Sequence, residues 1–583
     1  MSPLPLSTKR HSLAHLMAHA VQELYPDALF AIGPDIADGW YYDIDFPSSK
    51  PREEDFSALE EKMSELIKKD LPFKHSTMTI KEALVWAEEN KQPYKIELIN
   101  DLAAAGETEV SFYSVGAFTD LCRGPHVEHT GQISLDSFKL RSLAGAYWRG
   151  DEKRPMLTRL YGWAFNDKKA LKGHLAMLKE AEKRDHRKLG KELDLFVFSE
   201  LVGAGLPLWT PKGMVLRQVL DDFVWELRRA AGYEKVEIPH ITRKELYETS
   251  GHWEKFKEEL FIVNTRENHF FAMKPMNCPH HTQIFKRRKW SYRELPQRYA
   301  NTTMVYRDEQ TGELSGLQRV RSITQDDAHV FCAPEQVKEE ILKIWEIIEK
   351  FYSAAGFELE VRLSFHDPES MDKYLGDPAL WNKAEADLLS LLKEKNLEPT
   401  IGVGEAAFYG PKVDFMAKDS LGREWQLATV QLDMNLPERF DLTYITSEGK
   451  AEQVVMIHAA IMGSLERYIS VLIEHYGGNF PVWLAPVQVK FLSVSENHTE
   501  ACRTLTEELN QKGLRAEYDA SGETVGNKIR KTSAEKVPYV IVVGDKELES
   551  GSWPVRSRGE RESVEYKKED FIEKIIKENK NRS

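Results

Sequence analysis

From Thr8 to Leu24, apolar side chains at Leu13, Leu16, Met17, Ala20 and Leu24 recur at helical spacing, which predicts an amphipathic helix. His11, His15 and His19 lie four apart on it and share one stripe. A second helical stretch runs from Trp163 to Gly190 and ends in the charged run Lys183-Arg184-Asp185-His186-Arg187-Lys188; it reads as a stiff linker with a solvated face. A longer amphipathic helix, Met214 to Ala231, precedes a strand, Glu234 to His240, whose Pro239 restricts it to a sheet edge or a strand end. Between Tyr299 and Cys332 the pattern becomes that of a hairpin. One strand ends at Val305-Tyr306-Arg307, the turn is Glu309-Gln310-Thr311-Gly312, and the second strand runs from Leu317 to Phe331. Alternation then puts Arg319, Arg321, Gln325, Asp327 and His329 on one face. Two guanidiniums, an amide, a carboxylate and an imidazole are costly to bury unpaired, so this face is either solvated or a site. After Pro481-Val482-Trp483 the order is strand (Val487–Val494), helix (Glu496–Lys512), strand (Arg515–Tyr518), helix and strand (Tyr539–Val543). That βαβαβ run predicts a small sheet with right-handed crossovers, followed by a mixed-charge helix to the C-terminus.

At 583 residues the chain should form three or four domains, and 42% hydrophobic with 30% charged residues suits globular folds with real cores. No apolar run approaches the ~20 residues of a membrane span, and the N-terminus lacks a signal-peptide core. Four widely spaced cysteines make no disulfide framework, so the expected setting is cytoplasmic. A net charge of -14 excludes a chain that is basic all over; a nucleic-acid partner would need local basic patches.

The hairpin carries a resemblance. Arg307-Asp308-Glu309, a polar loop and Arg319 resemble the second signature motif of class II aminoacyl-tRNA synthetases. Thr324-Gln325-Asp326-Asp327-Ala328-His329, with Met276-Asn277-Cys278-Pro279 upstream and His458 downstream, resembles threonyl-tRNA synthetases in particular. The helix and strand before Pro239 are similar to the first class II motif, which builds a dimer interface, and Gly463-Ser464-Leu465-Glu466-Arg467 to the third. Neither a Walker A nor a GxGxxG motif appears, as befits a class II antiparallel sheet. The resemblance implies an α/β and α+β multidomain fold: an α+β editing domain (1–165), a linker helix (166–190), a class II catalytic domain with an antiparallel sheet and flanking helices (191–483), and an α/β anticodon-binding domain (484–583). The chain begins almost at the editing helix, so the small extra domain that many bacterial members carry first is expected to be absent.

Four residues bear on a metal: Cys278, His329, Cys332 and His458. Strand parity sends Cys332 to the face opposite His329, and a tight turn at Pro279 should carry His280 and His281 away. Cys278, His329 and His458 then make a zinc triad with an open fourth position, one zinc per chain. Zinc suits threonine, whose amine and hydroxyl can bind together. A site that uses a hydroxyl rejects valine by roughly 10⁴–10⁵, whereas serine lacks only one methyl, worth ~1–3 kcal/mol. A second, hydrolytic site is therefore needed. His11, His15, Cys122 and His126 form an HxxxH and CxxxH pair resembling the editing domain of threonyl- and alanyl-tRNA synthetases, with Tyr42, Lys95 and Asp120 at that family's pocket positions; HSLAH lacks the glutamate of a zinc protease. His19 is more simply structural.

The remaining roles are carried over from the resemblance. Arg307, Arg467, Lys412 and His252 are the expected catalytic residues. ATP, with Mg, is expected on Arg307, Glu309, Arg319, Gln426, Thr429 and Arg467. Threonine is expected on Met276, Gln325, Asp327, Tyr409 and Gln431, and the anticodon on Lys528, Arg530, Glu547 and Arg556, while Gly522 replaces a frequent asparagine. Gln426 lacks the strand parity of Thr429 and Gln431, so a bulge or turn should follow it. Ala459, where relatives often carry a basic residue, is expected to point away on a helix. The implied partners are threonine tRNA, ATP, L-threonine and a second copy of the chain, with no membrane. Prolyl- or seryl-tRNA synthetases share the motifs but need no such triad, and a free-standing zinc hydrolase would account only for the first ~190 residues.

Overall fold

The structure, a computed structural model, describes residues 4–582; the ends of the expected editing and anticodon-binding domains, 1–3 and 583, lie outside the described residues. Contacts divide the chain into two compact units meeting at Lys179 and Glu180. This division falls within the helix Lys168–Arg184, inside the stretch 166–190 expected as the linker. The stretch expected as one stiff helix is also divided. Trp163 belongs to the strand Met156–Ala164, and the helix stops at Asp185, whose carboxylate accepts from Arg187 N (2.8 Å) and opens a second helix, His186–Glu192. An aspartate at such a point offers the backbone a side-chain acceptor that competes with helix continuation.

In the first unit the helix Leu6–Leu24 packs on a five-stranded sheet whose main path is Leu29–Phe30, Gly39–Asp45, Met156–Ala164 and Phe138–Tyr147. Leu13, Leu16 and Met17 interlock there with Trp40, Tyr42, Ile44 and Leu160. The helix is not amphipathic in place: every residue from Ser12 to Val21 is buried, which takes His15 and His19 out of solvent. Beside it stands a three-stranded sheet, Phe73–Thr79, Glu109–Val115 and Phe118–Leu121.

The second unit is built on an eight-stranded sheet. Its order is Glu234–Lys235, Gln297–Tyr306, Ser322–Cys332, Val455–Ala460, Glu424–Asp433, Lys412–Lys418, Glu358–Phe365 and Thr400–Val403, antiparallel except for the outermost pair at each edge. Edge pairing stops at Lys235, well before Pro239. Helices Pro211–Ala230, Val337–Ala354 and Leu465–Tyr476 cover one face, where Leu220, Phe223, Ala328, Val330, Cys332, Ile344 and Ile457 form the core. The opposite face carries Gln325, Asp327 and His329.

Two local expectations are corrected and a third is met. The second hairpin strand begins at Ser322, not Leu317, because Ser315–Arg319 folds back on itself (Gln318 N to Ser315 O, 2.8 Å) around Gly316 at φ 50°. Arg319 and Arg321 therefore lie in the connecting loop, not on the strand face. Ala459 lies on a strand, not a helix, and alternation sends it into the helix-covered core while His458 faces the site. The expected irregularity after Gln426 is a bulge: Phe415 pairs with Ala428 and Met416 with Gln426, leaving Leu427 extra.

The C-terminal sheet has Ala516–Asp519, Val489–Ser493 and Tyr539–Val543 in parallel, as the βαβαβ pattern requires. Two antiparallel strands, Ser552–Ser557 and Val564–Lys567, extend it. No helix among the described residues is long and apolar enough to cross a membrane.

Candidate functional site

A cavity of about 670 Å³ opens on the sheet face of the second unit, lined by Arg307, Glu309, Arg319, Gln325, Thr429, Ser464 and Arg467 among others. Arg307 leaves the hairpin just after its first strand and leaves its Nε buried without a partner, the arrangement of a cation awaiting an anion. Arg319 rests on Glu309 (Nε to Oε2, 2.7 Å) and Glu313 (3.2 Å). Arg467 sits in the first turn of the helix Leu465–Tyr476, its amide donating to Ser464 Oγ (3.2 Å). Gln426 is not in the lining; its Oε1 accepts from Arg362 Nη2 (2.9 Å). Lys412 approaches Asp414 (3.2 Å), which also accepts from Thr429 Oγ1 (2.9 Å).

Strand register brings the distant metal candidates together. Tyr299 pairs with His329, which pairs with His458 on the next strand, which pairs in turn with Gln431. Cys278 enters from the first turn of the helix Cys278–Lys286. The donor atoms of Cys278, His329 and His458 all lie within 4.8 Å of one another. His329 Nε2 and His458 Nδ1 converge at 3.0 Å, while their other ring nitrogens are held from behind, His458 Nε2 by Asp433 Oδ2 (2.8 Å) and His329 Nδ1 by His281 Nδ1 (2.7 Å). Pro279 is thus no tight turn carrying the histidines off: it starts a helix, and His281 on that helix returns to the site. Burial pushes the Cys278 thiol well above its ordinary pKa and His329 well below its own, so a neutral His329 imidazole faces a sulfur that is costly to ionise without a cation. That donor set fits a soft divalent ion such as zinc.

Around it stand the other expected residues. The Tyr409 ring stacks on His458 (centroids 4.6 Å) and its hydroxyl donates to Gln431 Oε1. Asp327 accepts from Asn277 Nδ2 (3.0 Å). Met276 Sδ lies 3.2 Å from His252 Nε2, which is 3.6 Å from Cys278 Sγ; burial and the nearby His458 push His252 down to about 3, so it is neutral near pH 7.

In the first unit, Cys122 Sγ lies 3.3 Å from His11 Nε2 and 3.2 Å from His126 Nε2. Burial pushes the thiol up to about 11 and lowers His11, His15 and His126. Behind them Asp120 accepts from Tyr42 and pairs with Lys95, whose ammonium also reaches Ala31 O (2.6 Å). Lys95 and Asp120 are 2% and 3% exposed, so they form the floor of the cluster. His19 stands apart, bonded to Glu23 (3.3 Å).

Among the anticodon candidates, Arg530 is exposed, Arg556 donates to Glu560 O (3.0 Å), and Glu547 caps its own helix through Gly544 N (2.9 Å). Lys528 is a correction. It is buried, its ammonium spent on Ser493 O (2.9 Å), Ser493 Oγ (3.0 Å) and Asp519 O (3.3 Å), so it braces the fold and is not free to bind RNA.

Sequence reading missed Asp433, His281, Arg362 and Asp414. Asp433 had a signal, since it shares strand parity with Thr429 and Gln431. Arg362 had none, being joined to the site only by sheet order.

Known proteins resemble the chain throughout its length. The family described as tRNA synthetase class II core domain (G, H, P, S and T) matches residues 261–476, an anticodon binding domain matches 482–578, and the threonyl and alanyl tRNA synthetase second additional domain matches 110–161. The threonine–tRNA ligase of Cytophaga hutchinsonii is 47% identical over 97% of this chain and 88% of its own. That of Porphyromonas gingivalis is 48% identical over 97% and 87%. Among solved structures, the RNA binding domain of a Cryptosporidium parvum threonyl-tRNA synthetase matches with TM-score 0.65 at 38% identity, covering 67% of this chain and 98% of that one.

Proposed function

Because the chain belongs to the threonine–tRNA ligase family of class II aminoacyl-tRNA synthetases, we propose that it activates L-threonine with Mg-ATP as the adenylate, passes it to threonine tRNA, and hydrolyses mischarged seryl-tRNA in its N-terminal unit. The observation that carries this reading is the meeting of Cys278, His329 and His458 beside Asp327, Tyr409 and Gln431, on the sheet face that also holds Arg307. Cys278, His329 and His458 would hold one zinc per chain, oriented through Asp433 and His281, and zinc when bound supplies a charge that an amine and a hydroxyl can share and valine cannot use.

The protein's part in activation is positioning and charge. Arg307, lining the cavity with its Nε unpartnered, would neutralise the threonine carboxylate and the α-phosphate which that carboxylate attacks. Arg319 would hold the terminal phosphates, Glu309 and Arg467 the adenine, and Lys412 with Thr429 the reacting adenylate. No side chain needs to act as nucleophile, since phosphoryl chemistry of this kind rests on in-line alignment and electrostatic stabilisation. His252, neutral and buried next to Met276, supports the subsequent transfer to the tRNA ribose. In the first unit the neutral imidazoles of His11, His15 and His126 can hold and polarise a water; Cys122, protonated below about pH 11, is no nucleophile. A homodimer also belongs to this reading. The apolar face of the helix Pro211–Ala230 is largely buried, but Val197, Phe198, Leu201, Val202, Leu208 and Met214 stand exposed just before and at its start, where a second copy would cover them.

ATP–pyrophosphate exchange with each amino acid in turn tests the activation reading. Exchange should be strongest with threonine, weaker with serine and negligible with valine; strongest exchange with any other amino acid refutes it.

A further inference from the structure

The three-residue cluster Asp185, His186 and Glu474 has donor atoms close enough to suggest a metal site, but its hydrogen bonds say otherwise. Both ring nitrogens of His186 are occupied. Nδ1 lies 2.7 Å from Glu474 Oε1, and Nε2 accepts the backbone N–H of Leu317 at 3.0 Å. A nitrogen that accepts from an N–H carries no proton, so Nδ1 holds the ring proton and donates it to Glu474. The His186 backbone N–H donates to the same carboxylate (3.2 Å), whose other oxygen is fixed by Arg423 (2.6 Å). His186 and Glu474 are both buried, which makes these bonds stiff and an unmade one costly.

The two partners have separate meanings for the site. Glu474 sits in the last turn of the helix whose first turn carries Arg467. Leu317 is the midpoint of the Ser315–Arg319 turn, two residues before Arg319, in the loop that also carries Glu309. That loop meets the imidazole so closely that a Cβ on Gly316 would lie 2.2 Å from His186 Nε2, and only glycine fits. One imidazole therefore spans the far end of the Arg467 helix and the turn that presents Arg319, setting the distance between two arginines that line the same cavity.

We propose that His186 is a positioning residue for nucleotide binding: through Leu317 it holds the loop bearing Glu309 and Arg319 in register with the helix bearing Arg467. The proposal rests on the assignment of that cavity to ATP. It needs no contact between His186 and the nucleotide, and it concerns ATP rather than threonine, because the turn lies on the opposite side of Arg307 from the triad in the chain's hairpin.

Two isosteric substitutions in the full chain separate the two bonds. H186N keeps an amide at the Nδ1 position and can still donate to Glu474, but it loses the acceptor for Leu317. H186Q puts an amide oxygen at the Nε2 position and can still accept from Leu317, while losing Glu474. In threonine-dependent ATP–pyrophosphate exchange, H186N should raise the KM for ATP about tenfold, the worth of one buried hydrogen bond, with the KM for threonine unchanged. H186Q, which cuts the tie to the Arg467 helix, should raise the ATP KM to a similar extent, again with the KM for threonine unchanged. G316A, whose methyl would press on the imidazole, should raise the ATP KM in the same way as H186N. The proposal is overturned if H186N and G316A both bind ATP like the parent, or if H186N and H186Q lose ATP and threonine affinity in parallel with their melting temperatures. R319A separates the levels: an unchanged ATP KM in R319A overturns the cavity assignment and this proposal with it, whereas a raised one alongside parental His186 variants overturns the proposal alone.

Discussion

Removing the hydroxyl of Tyr409 isolates one contact of the proposed threonine pocket. The phenol ring stacks on His458 at 4.6 Å, and phenylalanine preserves that contact and the volume. What Tyr409→Phe deletes is the O–H donated to Gln431 Oε1. Burial pushes the Tyr409 hydroxyl well above its ordinary pKa, so it is a donor across the working pH range. Gln431, which is half-buried, has its amide nitrogen on Thr429 Oγ1 (3.3 Å), so without Tyr409 its carbonyl loses its protein donor and its orientation is set from one side only. Leaving such a group unsatisfied costs about 1–3 kcal/mol. If Gln431 faces the threonine, kcat/KM for threonine should fall by roughly 5- to 150-fold, the same energy expressed as a ratio. The KM for ATP should stay at its parental value, since Tyr409 does not line the cavity of Arg307 and Arg467. The assay is steady-state ATP–pyrophosphate exchange with each substrate varied in turn, with metal content measured on the same sample. A threonine kcat/KM within twofold of the parent, with the metal retained, refutes the placement of Tyr409 and Gln431 on the substrate.

Metal analysis of Cys278→Ser should show loss of a stoichiometric zinc together with threonine-dependent exchange; zinc retained at one per chain would remove Cys278 from the ligand set. Replacing His11 and His15 with alanine should leave threonine activation nearly unchanged and let seryl-tRNA accumulate on threonine tRNA, and clearance at the parental rate would make these histidines structural. Burial lowers His11, His15, His19 and His126 below their ordinary 6.5, so these four imidazoles stay neutral there in the native first unit while those of the unfolded chain take up protons as pH falls through that value. Its stability should be complete above about pH 7 and decline steadily below 6.5, read as faster hydrogen exchange in the helix Leu6–Leu24; protection that holds or rises down to pH 5 contradicts the sign. Sedimentation should give a dimer at micromolar concentration, and substitution of Leu201, fully exposed in the isolated chain, by glutamate should shift it toward monomer.

The first-order facts of this protein are local, and the sequence carries them. Period 3.6 and period 2 patterns marked the helix Pro211–Ala230, the hairpin strands and the βαβ order of the C-terminal sheet, because burial on one face leaves a repeat that neighbouring residues alone can show. Parity along one strand likewise separated His329 from Cys332 and called for the bulge after Gln426. The tertiary structure decided everything that depends on which strands become neighbours. It set Tyr299, His329, His458 and Gln431 in one row across four strands, brought Asp433 and His281 behind the two imidazoles, and turned Lys528 inward onto backbone carbonyls. It also placed Arg319 in a folded loop, because a single positive φ at Gly316 and a histidine 130 residues away outweigh a good strand pattern. Sequence pattern reports the environment each residue requires. Which distant residue supplies that environment is settled only when the sheet closes and each buried donor finds its acceptor.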